Sequence, residues 1–174
     1  MKEIKLTGYE AMSVAGVAVM RNLRAIAAAG ENKHGMAKDD RWLYMIEGTF
    51  GEYAFAKAYG FHWHMGIDTH GADPEGDVAG YEVKTHLKID DAYMLRLREN
   101  EAKLPKWYAL VLGTYPNFQV HGCFWGPEAL KHPDWMSDCG RPDRPPVYLV
   151  PRSELESISG HAKLRRAPGQ EDPI

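Results

Sequence analysis

A continuous apolar run from Trp107 to Gly113 constrains the fold of this 174-residue chain more than any other segment. A strand with one face in water alternates apolar and polar residues, and this run does not alternate. Uninterrupted apolar runs of this length are typical of strands that are covered on both faces. The sequence therefore predicts an α/β fold, with a central mixed β-sheet flanked by helices in a single domain over residues 1–158. Residues 159–174 are polar, basic and rich in Pro and Gly, which predicts a flexible C-terminal tail.

Two helices are predicted before that sheet. Thr7 and Glu10 have the spacing of a capping box, which predicts a helix through about Ala28. A second helix is predicted from Asp40 to Tyr59, where Gly60 can end it. Apolar residues recur on the first helix at helical spacing, so this stripe is either core or a partner-facing surface: Tyr9, Met12, Gly16, Val19, Leu23 and Ile26.

The segment from Gly76 to Thr85 predicts a tight β-turn. Ala79-Gly80 lies between Val78 and Tyr81, and a two-residue loop containing Gly suits a hairpin. In that register Val78 faces Tyr81 across the turn. Two predicted segments precede this turn: a first strand that starts at Phe61 to His64, and a turn-rich loop over residues 67–76.

The same register would place Asp77 opposite Glu82, with Cβ atoms about 5 Å apart. Side chains alternate along a strand, so Glu82 and Lys84 share one face. Two carboxylates that close repel each other unless a cation joins them or they share a proton. The carbonyl of Val83 is a further possible ligand, because hard cations accept carbonyl oxygens. The pattern predicts a divalent-metal site with a lysine beside it.

A third acid is expected from the second helix. Glu52 has small and apolar helical neighbours, so its carboxylate needs a partner: Gly48, Thr49, Phe55 and Ala56. Glu47 is the competing candidate, since its neighbours are also largely apolar. Burial alone does not separate the two.

These residues together resemble the PD-(D/E)XK nuclease superfamily, and in particular its small phage-type members. The resemblance lies in Glu52 within Gly-Glu-x-Ala, then Asp77, then Glu82-Val-Lys84, and it covers roughly residues 45–125. Gly76 stands where the family name has proline. Pro74 follows Asp73, which makes Asp73 a weaker candidate for the first acid.

The resemblance implies a restriction-endonuclease-like core and Mg²⁺-dependent hydrolysis of DNA, with Mn²⁺ able to substitute, in phage-type replication, recombination or repair. Asp77 and Glu82 would bind the metal with the Val83 carbonyl, and Glu52 would complete its shell. Lys84 would orient or activate the attacking water, or stabilise the developing charge on the phosphate. Related small enzymes often act as homodimers, so a homodimer is a further expectation by analogy.

Other sequence features bear on partners and location. Basic side chains that follow the motif are candidates for phosphate contacts: His86, Lys88, Arg96 and Arg98. The net charge of −3 argues against non-specific coating of nucleic acid but allows a local basic face. No apolar run is long enough to span a membrane. The two cysteines and a charged start predict a protein of a reducing compartment, the cytoplasm. The family resemblance implies that this is the cytoplasm of a bacterial cell or a phage-infected host.

Three alternatives remain open from the residues. The chain is either a nuclease, a nucleic-acid-binding domain of the same fold that does not cut, or an interaction or inhibitor protein whose hairpin is accidental. A zinc site is disfavoured because the candidate ligands lack the tight paired spacing of structural zinc sites: His121, Cys123, His132 and Cys139.

Overall fold

A four-stranded mixed sheet lies at the centre of the computed structural model, which describes residues 1–28, 38–67, 76–140 and 144–158. Its strands, in spatial order, are β1 (Lys2–Lys5), β5 (Asn117–Trp125), β4 (Trp107–Thr114) and β2 (Tyr81–His86). β4 is antiparallel to β5 and parallel to β2, and β1 is antiparallel to β5. The predicted α/β class with a mixed sheet is therefore confirmed.

The apolar run forms β4, and all of its residues from Trp107 through Gly113 are buried. Alternate side chains enter two separate cores. Ala109 and Val111 pack toward the helices, whereas Leu110 and Leu112 pack toward a second sheet. The expectation of a strand covered on both faces is confirmed.

Two long helices pack together on one side of the sheet: α1 (Gly8–Ala28) and α2 (Lys38–Tyr59). The predicted capping box is present, with the Thr7 backbone N–H donating to Glu10 Oε2 at 2.7 Å and the Glu10 N–H donating to Thr7 Oγ1 at 3.3 Å. Gly60 ends α2 with φ +67°, as predicted, and the Phe61 N–H donates to the Ala56 carbonyl at 2.9 Å.

Gly51 sets how closely α2 approaches the central sheet. A Cβ placed on Gly51 would lie 1.9 Å from Thr85 Oγ1 on β2, so only glycine fits at this contact. The next residue of the helix is Glu52. The missing side chain at Gly51 therefore lets α2 carry Glu52 up against the strand that bears the predicted motif.

A second, antiparallel sheet covers the other side of the central sheet. It contains β3 (Leu95–Arg98), β7 (Val147–Val150) and β6 (Met136–Ser137), in that order. A short helix, α3 (Glu99–Ala102), follows β3, and three 3₁₀ turns complete the described chain: Gly126–Lys131, Pro133–Trp135 and Arg152–Glu154. Leu95 and Leu97 pack in one core with residues of β4.

Two elements differ from expectation. Residues 61–66 form no strand; the segment is held instead by Trp63, which is buried and packs edge-on against Tyr53 of α2 with ring centroids 5.2 Å apart. β1 was not predicted, because Lys2–Lys5 is mostly charged. A strand at the edge of a sheet tolerates such residues, since its side chains stay in water.

The apolar stripe of α1 does not enter the core. All six of its residues are exposed, with 87% of Tyr9 and 75% of Met12 accessible to solvent. The helix instead packs through another face that includes Val14, Val17 and Ala18. The stripe was predicted to be either core or a partner-facing surface. The structure shows that it is not part of the core, so the role of a surface stays a prediction.

No helix in the described ranges combines the length and the apolar character needed to cross a membrane. The weaker candidate Asp73 and the predicted tail at residues 159–174 lie outside the described residues.

Candidate active site at the open edge of strand β2

The predicted turn is present, with positive φ at Ala79 (52°) and Gly80 (87°). The Tyr81 N–H donates to the Val78 carbonyl at 2.9 Å. In return, the Tyr81 carbonyl accepts from two residues, Val78 at 3.1 Å and Asp77 at 2.9 Å. Two donors opposite one acceptor are typical of a β-bulge. The prediction that Asp77 lies directly opposite Glu82 is therefore wrong, because the bulge shifts Asp77 out of that register.

The bulge turns the Asp77 carboxylate toward the free edge of β2. Its Oδ2 accepts a hydrogen bond of 2.7 Å from the Val83 backbone N–H. Among the described strands β2 pairs with β4 alone, and this N–H points to the other side of β2. The carbonyl of a residue in an extended strand points to the same side as its N–H. The Val83 carbonyl and the Asp77 carboxylate thus share the open edge.

Three carboxylates interact electrostatically near this edge. Burial raises the pKa of Asp77 to about 7, and repulsion from Glu52 and Glu82 adds to the effect. Burial also raises the pKa of Glu52, and Glu82 contributes, while Arg21 opposes the change. The charge of each carboxylate therefore acts on the other two, although Glu52 comes from a helix that precedes Asp77 and Glu82 in the sequence.

Glu52, and not Glu47, is the helix acid beside Asp77. Arg21 of α1 donates to Glu52 Oε2 at 2.7 Å, and its Nε donates to the Gly66 carbonyl at 2.7 Å. Trp63 Nε1 lies 3.4 Å from the same Glu52 oxygen. Glu47 instead accepts a bond of 3.4 Å from the Tyr115 backbone N–H.

Sequence reasoning missed Arg21 as a partner of the site. The residue is 8% exposed, and it lies on the side of α1 that faces α2. The available signal was an arginine among small apolar residues on a helix, which implies a buried counter-charge. Which acid supplies that counter-charge can be seen only once the packing of α1 against α2 is known.

Lys84 leaves the same face of β2 as Glu82, and a carboxylate that the motif does not include holds it in place. Its Nζ donates to Glu101 Oε1 at 2.7 Å and lies 5.4 Å from the centre of the Tyr108 ring. The other oxygen of Glu101 accepts from the Arg98 N–H at 2.8 Å at the start of α3. Burial opposes ionisation of Glu101, but Lys84 and this N–H outweigh it and lower its pKa.

Glu82 also has a cationic partner in this structure, since Lys106 Nζ forms an ion pair with its Oε1. Neither Lys106 nor Glu101 follows from the motif. Lys106 directly precedes β4, so the parallel pairing of β2 with β4 brings the two residues together.

The donor set is one that suits a hard cation. Mg²⁺ prefers one or two carboxylates with carbonyl and water oxygens, and Asp77, Glu82 and the Val83 carbonyl are of this chemistry. In the described part of the chain, however, no three His, Cys, Asp or Glu side chains are arranged as a ready metal site. Glu52 and Glu82 are instead held by ion pairs with Arg21 and Lys106. The alternative zinc ligands are not assembled either, and Cys123 is buried with its Sγ 3.7 Å from the Glu156 carbonyl.

The four predicted nucleic-acid contacts lie beyond Lys84. Arg96 and Arg98 are exposed and alternate with buried Leu95 and Leu97, so they share a face as predicted. The His86 ring stacks on Tyr93 with centroids 3.7 Å apart and an angle of 12° between the rings. Burial and the nearby Arg96 lower the pKa of His86. Lys88 is exposed after the end of β2.

Comparison with known proteins adds no relative: no family model, no curated protein and no solved structure matches this chain.

Proposed function

We propose that this protein is a divalent-metal-dependent nuclease that hydrolyses phosphodiester bonds in DNA, built on a PD-(D/E)XK, restriction-endonuclease-like core. The observation that carries the proposal is the mutual repulsion of Asp77, Glu82 and Glu52 near the open edge of β2, where Glu82 is two residues from Lys84. Ionised carboxylates that repel one another are costly without enough positive charge beside them. A phosphate-cleaving site uses such a cation.

Asp77, Glu82 and the Val83 carbonyl are the residues that would hold Mg²⁺ or Mn²⁺. Bound there, the ion supplies a Lewis acid for a phosphate oxygen and makes a coordinated water more acidic. Arg21 fixes the position of the Glu52 carboxylate by a hydrogen bond. The role of Glu52 would be to complete the shell of the metal and to add negative charge to the site.

Lys84 supplies the positive charge that the reaction needs beside the acids. A lysine ammonium is a compact charge with three donors, suited to a phosphate oxygen or to an attacking water. Glu101 holds this ammonium on the Glu82 face of β2. The substrate phosphate would therefore meet a lysine that is already oriented, which lowers the entropic cost of reaching the reactive geometry.

We also propose a pathway and an oligomeric state. DNA replication, recombination or repair of the phage type, in the cytoplasm, follows from the family resemblance alone. A homodimer has one supporting observation, the exposed apolar stripe of α1. Its residues repeat at alternating steps of three and four from Tyr9 to Ile26, which is the spacing of a helix seam.

Cleavage assays with matched variants test the nuclease proposal. Plasmid, duplex and single-stranded DNA are incubated with Mg²⁺ or Mn²⁺ and, in parallel, with a chelator. We expect metal-dependent cleavage that Lys84→Ala and Glu82→Gln each reduce by about 100-fold or more, as for loss of one charge-stabilising group. Lys103→Ala is the control, because Lys103 is an exposed lysine paired with Glu99 at 2.6 Å. Cleavage that Lys84→Ala leaves intact, or none on any DNA, would refute the proposal.

A nucleic-acid-binding domain that does not cut is the second candidate. It is favoured by the ion pairs that occupy Glu52 and Glu82, since a protein that never binds a metal needs such partners permanently. DNA binding without metal-dependent cleavage would identify this function. An interaction or inhibitor protein would show neither binding to DNA nor cleavage.

A further inference from the structure

A cleft of about 1090 Å³ begins at Lys84 and extends between β2 and the second sheet. Its walls include Tyr93, Arg96, Arg98 and Arg144. The volume equals that of a cube with edges of about 10 Å, at the upper end of the range for small-ligand sites. The cleft therefore joins the candidate active site to a basic surface.

Three arginines dominate the charge of this cleft. Arg96, Arg98 and Arg144 are all exposed. None of them forms a salt bridge with a carboxylate in the described ranges of the chain. Arginine presents a planar set of five donors that matches phosphate oxygens. The cleft thus offers three arginines without a salt bridge to a described carboxylate.

The acidic residues of the walls do not cancel this charge. Glu101 is bound to Lys84 at 2.7 Å, and Glu99 is bound to Lys103 at 2.6 Å. Asp138, the third acidic residue of the walls, accepts a hydrogen bond of 2.8 Å from the Gly140 N–H. The cleft keeps a net positive charge, which attracts a polyanion.

An aromatic and cationic stack stands on one wall. His86 stacks on Tyr93, and the Arg96 guanidinium carbon lies 5.0 Å from the centre of the Tyr93 ring. Tyr93 thereby fixes the position of Arg96. Guanidinium planes and histidine rings are both surfaces on which unpaired bases stack.

We propose that this cleft binds a single strand of nucleic acid and leads it to Lys84, so that the substrate must present an unpaired strand. A basic groove with stacking side chains is the usual form of a single-strand site. Unpaired bases can stack on these side chains, whereas the bases of a duplex are already stacked on one another, so this wall favours a single strand over a duplex. The path to Lys84 rests on the proposed nuclease function, whereas the binding itself does not.

Fluorescence anisotropy in a chelator tests binding without cleavage. The probes are a labelled 15-nucleotide single strand and a labelled hairpin duplex of the same composition. Each phosphate contact to a single strand contributes about 0.7 to the slope of log affinity against log salt. Three contacts predict a loss of about 20-fold in affinity between 50 and 200 mM salt. For Arg96→Ala/Arg98→Ala, one remaining contact predicts a loss of only about threefold.

The control removes the same charge elsewhere. Lys5→Ala/Lys131→Ala changes two exposed lysines, one of them on β1 at the edge of the central sheet opposite β2. We expect the single strand to bind at least tenfold tighter than the duplex, and only the arginine variant to lose this affinity and its salt dependence. Thermal melts establish that both variants fold.

Two results overturn the inference. One is duplex binding as tight as single-strand binding, and the other is an equal loss of affinity in the lysine control. The binding assay and the cleavage assay test the two proposals separately. Tight, arginine-dependent binding without metal-dependent cleavage would refute the nuclease proposal and support single-strand binding in the cleft. Metal-dependent cleavage of duplex DNA alone would support the nuclease proposal and refute single-strand binding in the cleft.

Discussion

Asp77→Asn should make the metal-free protein more stable, because Asp77 is held in a place that disfavours its charge. Burial and two neighbouring carboxylates raise its pKa from an ordinary 3.8 to about 7. Each pKa unit corresponds to about 1.4 kcal/mol, so the cost of ionised Asp77 in the folded protein is at most about 4 kcal/mol. The amide oxygen of the substituted side chain can still accept from the Val83 N–H. Its NH₂ group lacks an evident acceptor, which costs about 1–3 kcal/mol. We expect a net gain of about 2 kcal/mol.

The sign of this effect depends on pH in a defined way. Between pH 4 and 7 the folded protein holds a proton on Asp77 that the unfolded chain releases, so wild-type stability falls as the pH rises through this window. The advantage of Asp77→Asn is therefore complete at pH 8, whereas near pH 4 only the cost of its NH₂ group remains and the variant is less stable than the wild type by about 1–3 kcal/mol. For a chain of this size a gain of 2 kcal/mol corresponds to a melting temperature higher by about 4–8 °C.

Urea denaturation in a chelator at pH 5 and pH 8 measures the difference. Asp134→Asn is the control, because Asp134 is exposed. Added Mg²⁺ should then stabilise the wild type by about 2.7 kcal/mol at one hundred times its dissociation constant, and should not stabilise Asp77→Asn. Equal stability of wild type and Asp77→Asn at pH 8, or a gain independent of pH, would refute the reasoning.

Two further predictions concern the packing that supports the site. Arg21→Met leaves Glu52 buried without its partner and should cost about 3 kcal/mol in the free energy of unfolding; Arg21→Met/Glu52→Gln should recover most of this loss, and additive losses would contradict the pairing. Gly51→Ala places a methyl group 1.9 Å from Thr85 Oγ1 and should cost about 1–3 kcal/mol in urea denaturation. Adding Thr85→Ala should restore part of it, whereas an unchanged midpoint for Gly51→Ala would show that α2 does not approach β2 this closely.

Features set by neighbouring residues were predictable from the sequence. The capping box at Thr7, the end of α2 at Gly60 and the turn at Ala79-Gly80 each depend on a few successive residues, and all three are present. The buried strand β4 was predictable because a run with no polar residue has to be covered on both faces.

Features that depend on packing between distant segments were not predictable. Glu52 meets Arg21 across 31 positions, and Glu82 meets Lys106 across 24, so neither pair has a local pattern. The direct pairing of Asp77 with Glu82 failed for a different reason. A β-bulge changes the register by one residue, and the sequence of the turn is compatible with both registers. The segment at Phe61 reads as a strand because its side chains alternate, but it pairs with none of the strands in the described ranges.

The short segment that carries Asp77 also protects the sheet from self-association. β2 is an edge strand, and an open edge invites another chain to add to it. Val78 pairs with both the N–H and the carbonyl of Tyr81, and the Asp77 carboxylate accepts from the N–H of Val83, so three backbone groups along this edge are already satisfied. A side chain at position 77 that cannot accept a hydrogen bond would expose this edge and favour aggregation. A residue of the proposed metal site would therefore also limit the pairing of β2 with another chain.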